Sequence, residues 1–383
     1  MELTIQQGDL AFAVGRALSS VSTKSPLPLL SCLLLEADAG SLRVTGTDLD
    51  VTTAVSVPCT LGTAGKAAVS ARHFHDVVRK LPRGPVRLAI KKNQVEVAYG
   101  DGKGWSRFPT QPAGEFPRIP ELKAEGRAAI EGGVFARLAG RTSYAVSNED
   151  ARPQLGGVLL EGGAKQLALV ATDGHRLAKS TRTGAFAGLG ERGIIVPARA
   201  LAAVSRTGEE ATSPLEIEIA GARNQASFTA QVGEYRVQIL TRLLEGPYPN
   251  YEQVVPKDNP RSLTAPRAEL IEAVDIVASH ADNVTRQVRF SVRKNQLGVS
   301  STTPELGAGE QQLEAEYKGE DMEIGYNATY LLEILRAIPT EQAAFRLKTA
   351  LGAGLVEPVG ALPDGEEELL CLIMPLRLPD AGA

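Results

Sequence analysis

The chain has 383 residues, of which 43% are hydrophobic and 22% charged, and its formal net charge is −4. This composition is typical of globular proteins and excludes a disordered, collagen-like or disulfide-stapled chain. No apolar run reaches the ~18–20 residues that cross a bilayer. The first residues lack the basic-then-apolar order of a signal peptide. With three well-separated cysteines, Cys32, Cys59 and Cys371, these features predict a cytoplasmic protein with reduced thiols and no membrane segment.

The predicted elements recur three times along the chain. Each third opens with a short strand and an amphipathic helix, whose apolar residues have the helical i, i+3, i+4, i+7 spacing. The apolar stripes are Leu10, Val14, Ala17, Leu18 and Val21 in the first third, Phe135, Leu138, Ala139 and Thr142 in the second, and Leu270, Val274 and Val277 in the third.

Strand patterns follow each of these helices. Alternating segments at residues 42–49, 167–174 and 297–304 contain Thr47, Thr172 and Thr302, which are separated by 125 and 130 positions. Further strand-rich stretches cover residues 29–37, 86–98, 215–240 and 288–299, with Gly-containing turns at 38–40, 101–102 and 162–163.

A second helix repeats with nearly the same step. Its stripes are Phe74, Val77, Val78 and Leu81, then Leu201 and Val204, then Leu331, Ile334, Leu335 and Ile338. Pro-rich segments at residues 116–120 and 246–260 indicate extended linkers between the thirds. The sequence therefore predicts an α+β fold of three tandem domains, 1–123, 124–253 and 254–383, each with two helices packed on antiparallel sheets.

Basic residues are concentrated on the predicted helices of the first two domains. Only Asp9 and Asp76 oppose them, whereas acidic residues outnumber Arg267 and Arg336 on the third-domain helices. The basic set is Arg16, Arg72, Arg79, Lys80, Arg137, Arg141, Arg199 and Arg206, and Lys24 is added to it as a candidate DNA-facing residue. The set is either an ordinary solvated face or a phosphate-facing surface. Because only 5% of residues are aromatic and no recognition helix is present, such a surface would not read base sequence.

Helix packing decides whether these helices could surround a duplex. Packed helices lie about 8–10 Å apart. Six around a ring leave a bore below ~10 Å, which is too narrow, whereas twelve leave about 21–28 Å. A ring around DNA would therefore need two chains, joined head to tail at edges near residues 104–110 and 268–280.

Several motifs, in this order and spacing, resemble the family of bacterial DNA polymerase III beta subunits, the sliding clamps. The most specific are Ala171-Thr172-Asp173-Gly174-His175-Arg176-Leu177-Ala178 and Gly46-Thr47-Asp48-Leu49. Others are Tyr248-Pro249-Asn250-Tyr251, Met322-Glu323-Ile324-Gly325-Tyr326-Asn327 and Met374-Pro375-Leu376-Arg377-Leu378. The resemblance covers the whole chain.

The resemblance implies a homodimeric ring that encircles double-stranded DNA, has no catalytic activity, cofactor or metal, and tethers polymerase. The implied partners are the polymerase III alpha subunit, the clamp loader, and other polymerases and repair proteins, all bound through short linear motifs. Carried over by motif, the peptide pocket would consist of Arg152, Leu155, Thr172, Gly174, His175, Arg176, Leu177, Pro249, Val254, Leu372, Met374, Pro375, Leu376 and Arg377. In it, the apolar side chains would form a slot for anchor residues, and Arg152, His175 and Arg176 a polar rim.

Three features depart from the family pattern. Residues 379–383 extend beyond its usual end, Pro153 and Gln154 replace frequent aromatic residues, and the third-domain helices are acidic.

Two other classes of function compete with a sliding clamp. An enzyme is disfavoured because there is no Gly-x-Ser-x-Gly elbow, and the glycines at 62–67 and 100–104 match neither a phosphate loop nor a dinucleotide fingerprint. His73 and His75 are two positions apart, so on a helix they point to different faces and disfavour a metal site. A three-repeat structural or interaction protein that does not encircle DNA is the remaining alternative.

Overall fold

The structure, a computed structural model, describes residues 1–22, 27–119, 122–190, 192–362 and 366–378. Lys24 and residues 379–383, both singled out from the sequence, lie outside the described residues. None of the helices in the described ranges is long and apolar enough to cross a membrane.

One order of elements occurs three times: a strand, a helix, three or four strands, a strand leading into a second helix, and three further strands. The helices are α1 (Gln7–Leu18), α2 (Ala71–Val78), α3 (Gly132–Gly140), α4 (Ala198–Glu209), α5 (Arg267–Ala278) and α6 (Ala328–Ala337). The strands of the first third are β1 (Glu2–Gln6), β2 (Cys32–Asp38), β3 (Ser41–Thr47), β4 (Val51–Pro58), β5 (Thr60–Thr63), β6 (Gly65–Ser70), β7 (Pro85–Lys91), β8 (Gln94–Tyr99) and β9 (Gly104–Gln111). Those of the second are β10 (Ala124–Ile130), β11 (Gly157–Gly162), β12 (Gln166–Thr172), β13 (Arg176–Thr183), β14 (Ile194–Pro197), β15 (Leu215–Ala220), β16 (Gln225–Val232) and β17 (Tyr235–Arg242). Those of the third are β18 (Arg261–Pro266), β19 (Gln287–Arg293), β20 (Gln296–Thr303), β21 (Gly307–Glu314), β22 (Glu316–Lys318), β23 (Met322–Asn327), β24 (Gln342–Leu347), β25 (Gly354–Pro358) and β26 (Glu367–Ile373).

The chain forms two compact units, and the middle third is divided between them. Met1–Ala136 and Arg199–Leu243 form one unit, whereas Arg137–Ala198 and Leu244–Ala383 form the other. The first unit contains a 13-stranded antiparallel sheet in the order β10-β15-β16-β17-β4-β3-β2-β6-β9-β8-β7-β1-β5. The second contains a nine-stranded sheet, β14-β11-β12-β13-β26-β25-β24-β18-β22, and a four-stranded sheet, β21-β20-β19-β23.

The predicted apolar stripes are buried except at Leu18 and Val77, which are half-buried. Leu10, Phe74, Leu201, Leu270 and Leu331 are each 0% exposed, one from each of five helices. Thr142, the one polar member of the stripes, follows α3, and its hydroxyl donates to the Leu138 carbonyl at 3.0 Å. Helical periodicity therefore identified the core faces, although the helices end before Val21, Leu81 and Ile338, which are buried just beyond them.

Pairing between successive thirds makes these sheets continuous. In the first unit, β4 pairs with β17, so that Thr52 faces Leu240; we call this pairing the first junction. In the second unit, β13 pairs with β26, so that Leu177 faces Leu372; this is the second junction. In each case the strand that follows a Thr-Asp turn pairs with the last strand of the next third.

The turns that precede the two junctions have the same hydrogen bonds. Asp48 Oδ1 accepts from the amides of Asp50 and Val51 at 3.1 and 2.8 Å, and Asp173 Oδ1 accepts from those of His175 and Arg176 at 2.8 and 3.0 Å. The third residue of each turn has positive φ, 82° at Leu49 and 93° at Gly174. The corresponding third-copy segment has Thr303 and Pro304 in place of this aspartate and its successor.

Candidate functional site

The residues expected to form a peptide pocket lie in the second unit, on or beside the second junction. Leu177 and Leu372 are 1% and 4% exposed and belong to a buried apolar cluster that includes Leu159, Val170 and Tyr251. These two leucines therefore form the floor of the region and are covered in this structure.

Two apolar side chains of the expected pocket remain at the surface. Val254 is 58% and Met374 40% exposed. The Met374 amide donates to the His175 carbonyl at 2.8 Å, which continues strand-like pairing past the end of β26. Exposed apolar side chains are the kind of surface that peptide anchor residues bind.

The remaining residues of the expected set range from exposed to buried. Gly174, His175, Pro249 and Arg377 are exposed, Arg152, Pro375 and Leu376 are half-buried, and Leu155 and Thr172 are buried. Arg152 Nη2 donates to the Glu149 carboxylate at 2.8 Å and to the Asp173 carbonyl at 3.1 Å, so it is tied to the turn. The hydrogen bond from Arg152 holds the pKa of Glu149 below its ordinary value.

Arg176 differs from its sequence prediction as part of the polar rim. Its residue exposure is 6%. Its guanidinium donates to Asp173 at 3.0 Å, to the Tyr144 carbonyl at 2.7 Å, and to Glu333. It also lies 4.3 Å from the centre of the Tyr330 ring. Arg176 therefore stabilises the turn from inside the protein. The prediction that it lies on the polar rim is wrong, because Asp173, Tyr144, Glu333 and Tyr330 enclose its guanidinium group.

Four tyrosines near this region were absent from the pocket that the sequence predicted. Tyr330 stacks with His175 at 6.3 Å between ring centres, and the Tyr144 hydroxyl donates to Cys371 Sγ at 3.3 Å. Tyr248 donates to the Val170 carbonyl at 3.3 Å and Tyr251 to Glu161 at 2.6 Å. The Tyr-Pro-Asn-Tyr motif was the available signal for Tyr248 and Tyr251, whereas Tyr144 and Tyr330 had none.

The predicted DNA-facing set divides by burial. Arg72, Arg79, Lys80, Arg199 and Arg206 are exposed. Two of these have acidic partners, Arg79 with Asp76 at 3.4 Å and Arg199 with Asp48. The exposed cations of the set all lie in the first unit.

The prediction that Arg16 and Arg141 lie on exposed helix faces is wrong. Each is 6% exposed. Arg16 pairs with Glu210, and Arg141 donates to Glu367 at 2.5 Å. Burial explains the pairing, because an unpaired buried guanidinium is costly.

Glu367 binds both Arg137 of α3 and Arg141, which follows that helix. Its side chain is 0% exposed, and Arg137 Nη2 donates to it at 2.7 Å in addition to Arg141. Burial alone would raise the pKa of Glu367, but the two arginine hydrogen bonds outweigh it and lower that pKa. Arg137, which is half-buried, is thus mainly committed to this cluster.

Two sheet edges carry complementary charge. On β9, the single tryptophan Trp105 is 59% exposed and lies against the Arg107 guanidinium at 4.2 Å. Strand β9 pairs with β8 along its length, but with β6 only at Thr110 and Gln111, so the beginning of its other side is open. Strand β21 forms the edge of the four-stranded sheet, beside α5. Exposed acidic side chains on these two elements are Glu269, Glu272, Asp275, Glu310 and Glu314, and Ile276 is 46% exposed among them.

Comparison with known protein families matched all three thirds. Residues 1–120, 129–250 and 252–377 match the models described as the N-terminal, central and C-terminal domains of the DNA polymerase III beta subunit.

Curated relatives and solved structures match over their full length. The beta sliding clamp of Caulobacter vibrioides is 30% identical over 384 residues, with 99% of this chain and 100% of the relative covered. That of Escherichia coli K12 is 28% identical over 379 residues, with the same coverage. The crystal structure of the sliding clamp of Bartonella birtlesii bound to griselimycin superposes with a TM-score of 0.91 at 29% identity, covering 99% of this chain and 100% of that one.

We predict that Glu367→Gln lowers the free energy of unfolding by about 3 kcal/mol at neutral pH, because Arg141 loses its buried counter-charge. Since the folded-state pKa of Glu367 is depressed, its stabilisation is complete above the ordinary pKa of 4.5 and is lost as the pH falls through the lower folded value. Urea unfolding of wild type and variant should therefore converge in acid. Glu368→Gln, at the exposed neighbouring position, is the matched control, and equal destabilisation by the two changes would contradict the role given to Glu367.

Proposed function

The chain belongs to the family of bacterial DNA polymerase III beta subunits, the sliding clamps that give the polymerase its processivity, and we propose that two copies close head to tail around duplex DNA. In this proposal the protein is a non-catalytic, cytoplasmic processivity factor. A closed ring holds the polymerase at its template by topology and by raising its effective concentration there.

The repeated junction is the single observation that carries the head-to-tail ring. Strands β4 and β13, which follow the first two turns, each pair with the last strand of the next third. Strand β21 follows the third turn and has only β20 as a partner among the described strands. The open side of β9, the last strand of the first third, on a second copy would complete a third junction of the same kind.

Charge and apolar exposure support the same pairing. The β9 edge presents Trp105 and Arg107, with Lys103 and Arg72 also exposed in its domain. The β21 edge presents acidic side chains around Ile276. Opposite charges around an aromatic anchor favour association and fix its orientation.

Five exposed cations of the first unit are proposed to contact the DNA backbone: Arg72, Arg79, Lys80, Arg199 and Arg206. Contacts to phosphate without base readout give sequence-independent binding, which a sliding protein needs. Arg16 and Arg141 are paired inside the protein, and half-buried Arg137 is bound to Glu367. We therefore do not expect these three guanidinium groups to contact DNA.

The region of the second junction is proposed to bind short linear motifs. The partners would be the polymerase III alpha subunit, the clamp loader, and other polymerases and repair proteins. Met374 and Val254 supply exposed apolar surface, and Arg152 and His175 supply polar contacts at its margin. The adaptable thioether of Met374 suits a surface that accepts several ligands.

The ring is tested by topology. Protein loaded by its cognate clamp loader onto nicked circular DNA should co-elute with that DNA, and cutting the circle should release it. Equal retention on circular and linear DNA would contradict encirclement and favour a three-repeat interaction protein.

We predict that Trp105→Asp converts the dimer to a monomer. The change places a charge at the centre of the proposed interface and beside the acidic edge of the second copy, so both apolar burial and charge complementarity are lost. Light scattering should give twice the 40.5 kDa chain mass for wild type and the chain mass for the variant. Leu351→Asp, at a position that is 61% exposed and on neither edge strand, should remain dimeric; a dimeric Trp105→Asp protein would exclude this interface.

We predict that Arg79→Glu with Lys80→Glu reduces loading on circular DNA, most strongly at about 50 mM salt and less so at about 200 mM, because each lost phosphate contact would have released counterions. Loss of two contacts should lower the salt slope of DNA binding by about two. Lys165→Glu with Arg192→Glu makes the same charge change at exposed positions outside the helices. If both double variants behave alike, net charge rather than a DNA-facing surface explains the effect.

We predict that Met374→Ala weakens binding of a fluorescent peptide carrying the clamp-binding motif of the alpha subunit about fivefold, which corresponds to roughly 1 kcal/mol of lost apolar burial. Fluorescence polarisation measures this directly. Val359→Ala removes an apolar side chain of nearly equal exposure, 39% against 40%, and should bind as wild type does. Unchanged affinity in Met374→Ala would exclude this side chain from the peptide site.

A further inference from the structure

The two junctions correspond residue by residue across five strands. At the first junction, one row of side chains crosses β6, β2, β3, β4 and β17; at the second, the equivalent row crosses β14, β11, β12, β13 and β26. The paired rows are Ala68-Leu34-Thr45-Ala54-Gln238 and Ile195-Leu159-Val170-Lys179-Leu370. Two residues further along, Glu36 of β2 pairs with Arg43 of β3 at the first junction. The equivalent pair at the second junction is Glu161 of β11 and Ala168 of β12.

At the second junction, the linker covers this face with a tyrosine. Tyr251 is 8% exposed and packs in the cluster that contains Leu159 and Val170. Its hydroxyl donates to Glu161 at 2.6 Å, and the Lys179 ammonium lies 5.1 Å from its ring centre. The face, the carboxylate and the tyrosine together make one filled site.

At the first junction, the same face lacks the equivalent tyrosine and is only partly covered by the linker. The linker reads Phe116-Pro117-Arg118-Ile119 where the second linker reads Tyr248-Pro249-Asn250-Tyr251. Phe116 is buried against Leu34 and Ala68, but Ile119 has no hydroxyl for Glu36 and is only half-buried. A cavity of about 560 Å³ remains, and no tyrosine is among its lining residues. We call it the first-junction groove.

The polar lining of the first-junction groove is basic and incompletely paired. Arg43, Lys66 and Arg118 line it, and among the described lining residues Glu36 supplies the one carboxylate. Arg43 Nη2 donates to Gln238 at 3.2 Å, whereas Arg43 Nε is buried and finds no acceptor among the described residues. A buried donor without an acceptor favours a ligand that supplies one.

We propose that the first-junction groove binds a short acidic peptide segment of another protein through a tyrosine side chain. The ring packs on Leu34 and Leu240, and its hydroxyl donates to Glu36 as Tyr251 does to Glu161. Acidic residues beside the tyrosine pair with Arg43, Lys66 and Arg118. Tyrosine suits this groove because it buries a large apolar ring while keeping one polar end. This site is separate from the region around Met374, so its existence does not depend on the peptide assignment made there.

The test uses the full-length protein and a fluorescein-labelled peptide, Gly-Asp-Asp-Tyr-Asp-Leu-Gly, together with a twin that has phenylalanine for tyrosine. Wild type should bind the tyrosine peptide about tenfold more tightly than the twin, because the hydroxyl bonds to a charged acceptor. Glu36→Gln should reduce this preference to about twofold, since a neutral acceptor is weaker. Ile119→Tyr, which restores the arrangement of the second junction, should abolish binding while leaving the thermal unfolding midpoint equal or higher.

Two further variants distinguish the sites. Val359→Tyr adds the same side chain at an exposed apolar position outside the groove and should bind as wild type does, as should Met374→Ala. The proposal is overturned if wild type shows no binding at about 1 mM peptide, because a dissociation constant above that value corresponds to a binding free energy weaker than about 4 kcal/mol. It is also overturned if Ile119→Tyr binds unchanged, or if Met374→Ala abolishes binding, since the peptide would then occupy the other region.

Discussion

Backbone pairing between the last strand of one third and the post-turn strand of the third before it is the constraint on which the rest of the structure depends. A strand edge left without a partner exposes amide and carbonyl groups that seek one. Within the chain, β4 with β17 and β13 with β26 satisfy this need. The buried cluster around Leu177 and Leu372 lies on the sheet that the second pairing makes continuous, and the first-junction groove lies on the sheet that the first pairing makes continuous.

Local pattern predicted much of the fold, and long-range pairing accounts for what it missed. The apolar stripes of the helices are periodic, so their core faces could be found from residues such as Leu10 and Leu331 alone. The short strands β5 and β22 were not predicted, and no local signal joins Val51 to Thr241, which are paired across 190 positions. Register across such separations depends on tertiary packing, which composition and periodicity do not encode.

The candidate sites were predictable where a motif carried them and unpredictable where burial decided the role. The Thr-Asp-Gly-His-Arg segment identified the correct turn, yet Arg176 lies inside because Asp173, Glu333 and Tyr330 surround it. Arg141 directly follows α3, where the amphipathic pattern predicted a solvent-facing helical residue, but its partner Glu367 is 226 residues away. A count of charged residues in a helical pattern predicts that they face solvent. Only the folded structure shows that a carboxylate distant in sequence binds one of them inside the protein.

The turn of the third copy lacks the aspartate that the first two turns share. Asp48 forms an ion pair with Arg199 of α4. Asp173 pairs with Arg176, which also pairs with Glu333 of α6. At both junctions within the chain, an arginine therefore connects the turn to a helix by ion pairing. Thr303 cannot form an ion pair of this kind. In a ring of two chains, the four junctions within chains would have both covalent continuity and this ion pair, whereas the two junctions between chains would have neither. In the proposed ring, the junctions between chains would therefore open more easily than those within a chain.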